Sequence, residues 1–354
     1  MYTNYKTHGY WGVYEWLNPA LVISDLDLIR DVMVKDFDHF TDRRSMKFNG
    51  KEEIFNEMLT MVQGDEWKSL RTIMSPTFSS GKIKAMFPLI VEKSNDLVKQ
   101  CEMEMVKKSY VQIYSLLGYY TMDVIATCAF GIDDHCLEIR ESSDFIKNAQ
   151  KMTRFNFQTL VKITVLTVAP KLFKLLGLQL NEEAEAYLIK VVEETVSARK
   201  KTGMKRGDFI DLLLEALEVS KSKERKNDYP MSMNTIIVES VLFILAGFDT
   251  TSNSLSFMVF FLAKYQEEQK KIRKELLKLI EVDGEVTYQN IMEAKYLEAF
   301  ISESLRLYGP VHFIERVCTK SYKLSDSDLV IPKDMVLNIP NWSLHRDPSI
   351  GQTL

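Results

Sequence analysis

The chain has 354 residues, of which 46% are hydrophobic and 27% charged, and a net charge of −4. That length and balance suit one large or two ordinary globular domains, and the acidic excess excludes a general nucleic-acid binder. The four cysteines, Cys101, Cys128, Cys136 and Cys318, form no Cys-x-x-Cys pair. Neither a zinc site nor a disulfide framework is therefore expected, and reduced thiols in a cytosol-facing protein are the default.

Residues 1–8 are polar and do not read as a signal peptide. Residues 10–23 predict a hairpin, in which Trp11-Gly12-Val13-Tyr14 and Ala20-Leu21-Val22-Ile23 flank Leu17-Asn18-Pro19. Ser24-Asp25 then caps a helix from Leu26 to about Lys35. From there to Ser304 the apolar spacing is helical, at 81–104, 115–130, 143–160, 182–200, 208–219 and 235–279. The charged stretches 199–206 and 221–229 read as exposed loops. No charge-free apolar run of eighteen residues occurs, so no spanning helix is predicted. Lys162, Pro170, Lys171 and Lys174 break residues 160–180 into what reads as two core helices, with placement in a membrane interface as the alternative. After Arg316 the chain turns strand-like, at 322–324, 328–331 and 335–339, the last after Pro332-Lys333-Asp334. Residues 341–352 are polar, and the end at Leu354 reads as an interruption.

The most unusual run is Ala246-Gly247-Phe248-Asp249-Thr250-Thr251, inside an apolar stretch at 236–263 that otherwise predicts a buried helix. Glycine costs about 1 kcal/mol relative to alanine in a helix interior. A buried carboxylate needs partners or a raised pKa, and a threonine hydroxyl can turn back onto a carbonyl one turn earlier. A distorted helix near 247–250 is predicted, with a small-residue groove where an acid and an alcohol would receive a guest such as dioxygen or water. A core helix with one polar layer is the alternative. Glu303 and Arg306 share a helix face, and the apolar neighbours Phe300, Ile301, Leu305 and Leu307 predict that this helix is buried. Trp67 and Arg71 share another face, where an indole donor and a guanidinium suit a carboxylate. Arg43, Arg44 and Arg316 are further cations, and a core Trp67 with a solvated Arg71 is the alternative.

These motifs occur in one order, with Phe40-Thr41-Asp42-Arg43-Arg44, Trp67-Lys68-Ser69-Leu70-Arg71 and Ser75-Pro76-Thr77-Phe78-Ser79-Ser80-Gly81-Lys82 in the first part of the chain. Ala246 to Thr251, Glu303 to Arg306, Glu315-Arg316-Val317-Cys318 and Leu344-His345-Arg346-Asp347-Pro348 follow. Over essentially its whole length the sequence resembles the cytochrome P-450 family of haem-thiolate monooxygenases, in the clan of family-three drug-metabolising and related insect enzymes. The resemblance implies a mainly α fold with a small β region, formed by residues 10–23 and the strands after Arg316. It implies a single catalytic domain over 1–354, incomplete at both ends.

By that resemblance Arg43, Trp67, Arg71 and Arg316 bind haem propionates, and Ala246 lies where the long helix meets cofactor and substrate. Thr250 helps deliver protons to oxygen, with Asp249 as its acidic neighbour. Glu303 and Arg306 form a structural pair, and Thr60, Phe243, Val311 and His312 line the substrate. The implied cofactors are haem and, through a reductase, NADPH. The implied partners are cytochrome P-450 reductase, cytochrome b5, an apolar substrate and the membrane surface on the cytosolic face of the endoplasmic reticulum. Nucleic acid is not among them. In two places the sequence departs from the family. Gly309, followed by Pro310, stands where the family has proline. The family's axial cysteine lies in a Phe- and Gly-rich loop that this chain does not contain, so no metal ligand is assigned. The expectation is a fragment lacking that loop and the N-terminal anchor, with a non-catalytic product that binds a partner or ligand as the alternative.

Overall fold

The computed structural model describes residues 9–15, 17–44, 50–132, 134–153, 156–203, 205–222, 231–325 and 328–350. In chain order the elements are strands β1 (Tyr10–Glu15) and β2 (Asn18–Ile23), helix α1 (Leu26–Arg30) with a π turn at Asp31–Lys35, and a 3-10 helix at Gly50–Glu57. Helices α2 (Gly64–Met74), α3 (Ser80–Lys108), α4 (Ile113–Ile125), α5 (Cys136–Ile139), α6 (Asp144–Thr153), α7 (Phe157–Val168), α8 (Pro170–Leu175) and α9 (Glu182–Thr202) follow. Then come α10 (Phe209–Ser222), α11 (Met233–Lys264), α12 (Gln266–Asp283), α13 (Tyr288–Glu293) and α14 (Lys295–Tyr308). The last elements are β3 (Ile314–Val317), β4 (Tyr322–Lys323), β5 (Val330–Ile331), β6 (Val336–Ile339) and α15 (Asn341–Leu344). The protein is mainly α with a small β region, as the resemblance implied.

The chain divides into two compact units, one of Met1–Met46, Thr60–Lys68 and Phe257–Leu354, the other of Lys47–Leu59 and Ser69–Ser256. In the first, a four-stranded sheet has the order β1-β2-β6-β3. The predicted hairpin is there, with Tyr10 opposite Ile23. β2 also pairs in parallel with β6, Ala20 opposite Val336, and β6 runs antiparallel to β3. Ala20, Leu21, Val22 and Ile23 are all buried, because a strand covered on both faces needs an unbroken apolar run. Leu21, Ile23, Phe40, Leu324, Leu337 and Ile339 belong to one core cluster. Asp25 caps α1, its carboxylate accepting from the N–H groups of Asp27 and Leu28 at 3.0 and 2.9 Å. The guanidinium of Arg44 lies 2.6 Å from Glu15 on β1 and 2.6 Å from Glu315 on β3, the two outer strands of the sheet.

The second unit is helical. Asp123, near the end of α4, receives the N–H groups of Cys136 and Leu137 at 2.6 and 2.9 Å and so starts α5. Arg199, buried near the end of α9, is held by Asp208 and Asp211 at 2.5 and 3.0 Å. The predicted helix at 143–160 is two helices, because Asn156 caps α7 by accepting from the Thr159 N–H at 2.8 Å. That at 235–279 is also two, because Tyr265 leaves the helical region with φ −108° and ψ 77°. Neither break interrupts the apolar period. The predicted distortion of α11 is not seen: the helix is α-helical throughout Met233–Lys264. Gly247 serves close packing instead, since a Cβ there would lie 2.9 Å from Cδ1 of Ile125 on α4.

Residues 113–130 and 233–264 are long and apolar enough to cross a membrane but are mostly buried in the protein. Helices α7 and α8 depart from the core-helix expectation. Leu166 and Phe173 are buried, while Phe157, Leu160, Leu172, Leu175 and Leu176 face outward, Phe157 at 80% exposure and Leu175 at 82%.

Candidate active site

In the first unit, Asp42 positions α2. Its carboxylate accepts from the N–H of Gly64 at 2.8 Å, at the start of the helix, and its carbonyl accepts from the N–H of Val317 at 2.8 Å. α2 thereby presents Trp67, whose ring lies 6.0 Å from that of Phe37. The guanidinium of Arg316, from the middle of β3, lies 5.8 Å from the centre of the same Phe37 ring. Arg316 is 9% exposed, and its Nε has no hydrogen-bond partner. One Nη donates to the Glu315 carbonyl at 2.8 Å. Burial, with the charge of Arg43 added, lowers Arg316 to about 10. Among the described residues neither Arg316 nor Arg43 has a carboxylate partner, whereas Arg44 has two. Two cations without counter-charge, one of them buried, are an arrangement that an anion would neutralise. Arg71, one turn beyond Trp67 on α2, is exposed.

On α14, Arg306 grips Glu303 with two bonds of 2.6 Å, and the pairing holds the Glu303 carboxyl below its usual range. Arg306 also donates to the His345 carbonyl just beyond α15. The predicted burial of this helix is corrected: the side chains of Arg306 and Glu303 are 30% and 41% exposed, and Ile301 and Leu305 are exposed as well. An amphipathic period shows that a helix has an apolar face; it does not show that the face is covered. Gly309 ends α14 under a tight constraint, since a Cβ there would meet the Leu305 carbonyl oxygen at 2.7 Å. Thr60, Val311 and His312 are exposed, and the His312 carbonyl accepts from the N–H of Trp342 at 3.1 Å.

In the second unit, Ala246 and Thr250 lie on one exposed face of α11. The Thr250 hydroxyl donates to the Ala246 carbonyl at 2.6 Å. The acid and the alcohol do not share a groove. Asp249 lines a cavity of about 320 Å³ with Tyr114, Lys147, Gln150 and Ser252, and Thr250 is not among its walls. Successive helix positions lie about 100° apart, so neighbours in sequence face different ways. Phe243 packs on Phe209 and Phe78, with ring centres 4.0 and 5.3 Å away. Phe248 is fully buried, and its carbonyl accepts from the Thr121 hydroxyl at 2.9 Å.

Sequence reasoning missed Phe37, which lies against both Trp67 and Arg316, and Asp42, which anchors α2. Neither stands out as a residue type. It gave no role to Glu239, an acid in the same apolar helix as Asp249; that placement was the available signal. Burial raises Cys128 to about 11 and pushes Cys101, Cys136 and Cys318 upward too, whereas a ligating cysteine must lose its proton. Among the described residues no cluster of three potential metal-binding side chains occurs.

The cytochrome P450 family profile matches residues 2–350. Cytochrome P450 3A2 of Rattus norvegicus is 33% identical over 350 residues, which cover 97% of this chain and 68% of that relative. Cytochrome P450 3A56 of Fundulus heteroclitus is also 33% identical, over 96% of this chain and 68% of its own length. For cytochrome P450 3A11 of Mus musculus the figures are 33%, 97% and 68%. A match of that extent settles the family: the chain belongs to the cytochrome P450s.

Proposed function

We propose that this protein works as a monooxygenase that inserts one oxygen atom from O2 into an apolar organic substrate, with NADPH electrons passed through cytochrome P-450 reductase and with cytochrome b5 as an accessory donor. The family is one of haem-dependent monooxygenases. The observation that carries the reading is the buried guanidinium of Arg316, with its unpartnered Nε, beside Arg43. Haem bears two propionate carboxylates, and an anion is what this cluster lacks, so the residues fit the group. Arg316, Arg43 and Trp67 would hold the propionates, with Arg71 one turn along α2. Haem, when bound, supplies the activation of dioxygen.

The chain's own residues then have separate tasks. Ala246 gives α11 a low surface beside Thr250. The Thr250 hydroxyl holds a proton that now points at a backbone carbonyl, and its proposed task is to present that proton outward to the oxygen site. Asp249 faces a polar cavity with Lys147 and Gln150, a route by which solvent protons reach the helix. Phe243, Thr60, Val311 and His312 are proposed to contact the apolar substrate. The outward apolar residues of α7 and α8, with Lys171 and Lys174 among them, support attachment to a membrane surface, proposed as the cytosolic face of the endoplasmic reticulum.

The test is haem binding by the chain and by Arg316→Gln, followed through haem absorbance and tryptophan quenching. Loss of a charged hydrogen-bonding partner is expected to weaken binding by roughly tenfold or more. Equal affinities would sink the propionate assignment. The upward push that burial gives all four thiols favours a second statement: none of them is proposed as the axial ligand. On that view these 354 residues by themselves are a non-catalytic body that binds a partner or ligand.

A further inference from the structure

Glu239 lies in α11, seven positions before Ala246, and is 0% exposed. Its Oε1 accepts from the backbone N–H of Leu59 at 2.5 Å, and its Oε2 has no hydrogen-bond partner. Leu59 closes the segment that begins with the 3-10 helix Gly50–Glu57, in the same compact unit. A second attachment lies nearby: Glu57 Oε2 accepts from the hydroxyls of Ser232 and Thr235, at 3.2 and 3.0 Å, at the start of α11. Met58, between these two points of attachment in sequence, and Phe55, just before them, are both buried.

The two carboxylates are held differently. Glu57 is partly exposed, receives two hydroxyl donors and sits at a helix N-terminus, all of which suit an ion. Glu239 has one N–H donor and no contact with water. The α11 positions one turn away on either side, Thr235, Ile236, Leu242 and Phe243, carry no charge. Glu57 is the one ionisable residue at positions 54–59 of the facing segment. Among the described residues no charged group acts appreciably on Glu239; burial raises it to about 8, against the opposing pull of the Leu59 N–H.

We infer that Glu239, while it holds its proton, is the positioning residue that fastens Met58 and Leu59 to α11, and that loss of the proton releases the segment. Release puts the carboxylate in water, where it ionises like any glutamate. The closed form keeps the proton and the open form gives it up, so rising pH favours opening. Thr60 is the next residue after Leu59, so the latch bears on substrate selection. That consequence rests on the monooxygenase reading, but the latch itself does not.

The experiment is hydrogen exchange of the full chain, following peptides that report the Leu59 amide, from pH 5 to pH 9 with intrinsic rates corrected. Linkage between an open-state carboxyl near 4.5 and a closed-state value of about 8 sets the expectation. Protection should fall by roughly tenfold per pH unit between about pH 5.5 and 7.5 and level off above 8. Peptides from α3 should not follow it. Glu239→Gln keeps an oxygen for the Leu59 N–H and cannot ionise, so its protection should be high and flat. Pass or fail, this result stands apart from haem binding. Wild-type protection that does not change with pH would overturn the proposal. So would a pH-dependent fall that persists in Glu239→Gln or occurs equally in α3.

Discussion

Thr250 shows how one side chain can be satisfied locally and still carry chemistry. Its hydroxyl bonds back to Ala246, which costs the helix little, so Thr250→Ala should leave folding nearly unchanged. In the haem-loaded enzyme the same change is expected to uncouple oxygen consumption from product formation, because a positioned proton donor is lost. Simultaneous oxygen and product measurements check it, and unchanged coupling would remove Thr250 from the proposed proton route. Glu239 bears on stability. Its carboxyl ionises at about 8 when folded and about 4.5 otherwise. The unfolded chain therefore sheds this proton first, and stability falls as pH rises from 4.5 to 8, with no further loss above that. The full effect is on the order of 5 kcal/mol, most of it between pH 5 and pH 8. Denaturant titrations at pH 5 and pH 8 should show that loss in the wild type and a much smaller one in Glu239→Gln. Parallel behaviour of the two proteins would refute it.

At the scale of elements, the pairing of α14 with α15 separates two arginine roles. Arg306→Ala removes the grip on Glu303 and the bond to the His345 carbonyl; Glu303→Ala removes only the first. For such half-exposed groups the ion pair is worth about 0.5–1 kcal/mol, and a further charged hydrogen bond adds about 1 kcal/mol. Arg306→Ala should thus be the more damaging change in urea unfolding; equal effects would show that the His345 contact contributes nothing. These elements were unequally readable beforehand. The Asp25 cap, the hairpin and the long helices follow from local chemistry that the sequence states outright. The breaks at Asn156 and Tyr265 do not, because the apolar period runs through them. The exposure of α14 depends on what covers a face, which no residue of α14 records. In the candidate site, Trp67 and Arg316 were readable as donor and cation. Their common contact with Phe37 comes from the packing of β3 and α2 against one turn.

For the molecule as a whole, the decisive measurement is the carbon-monoxide difference spectrum. Cys318 is fully buried, with its thiol donating to the Lys320 carbonyl, and burial raises the other three thiols as well. The 354-residue chain is expected to lack the red-shifted ferrous band of thiolate-ligated haem. A full thiolate band would show that one of its four cysteines ligates iron, and the assignment of no axial ligand would be wrong.

The parallel pairing of β2 with β6 has a consequence for how the protein is made. Ala20 and Val336 are neighbours in the sheet although they leave the ribosome about 300 residues apart, a delay of roughly 15–60 s at typical synthesis rates. Throughout that interval the nascent hairpin shows an unpaired, wholly apolar edge, Ala20 to Ile23, of the kind that pairs with foreign strands. During synthesis that edge therefore needs shielding until β6 emerges to close the sheet.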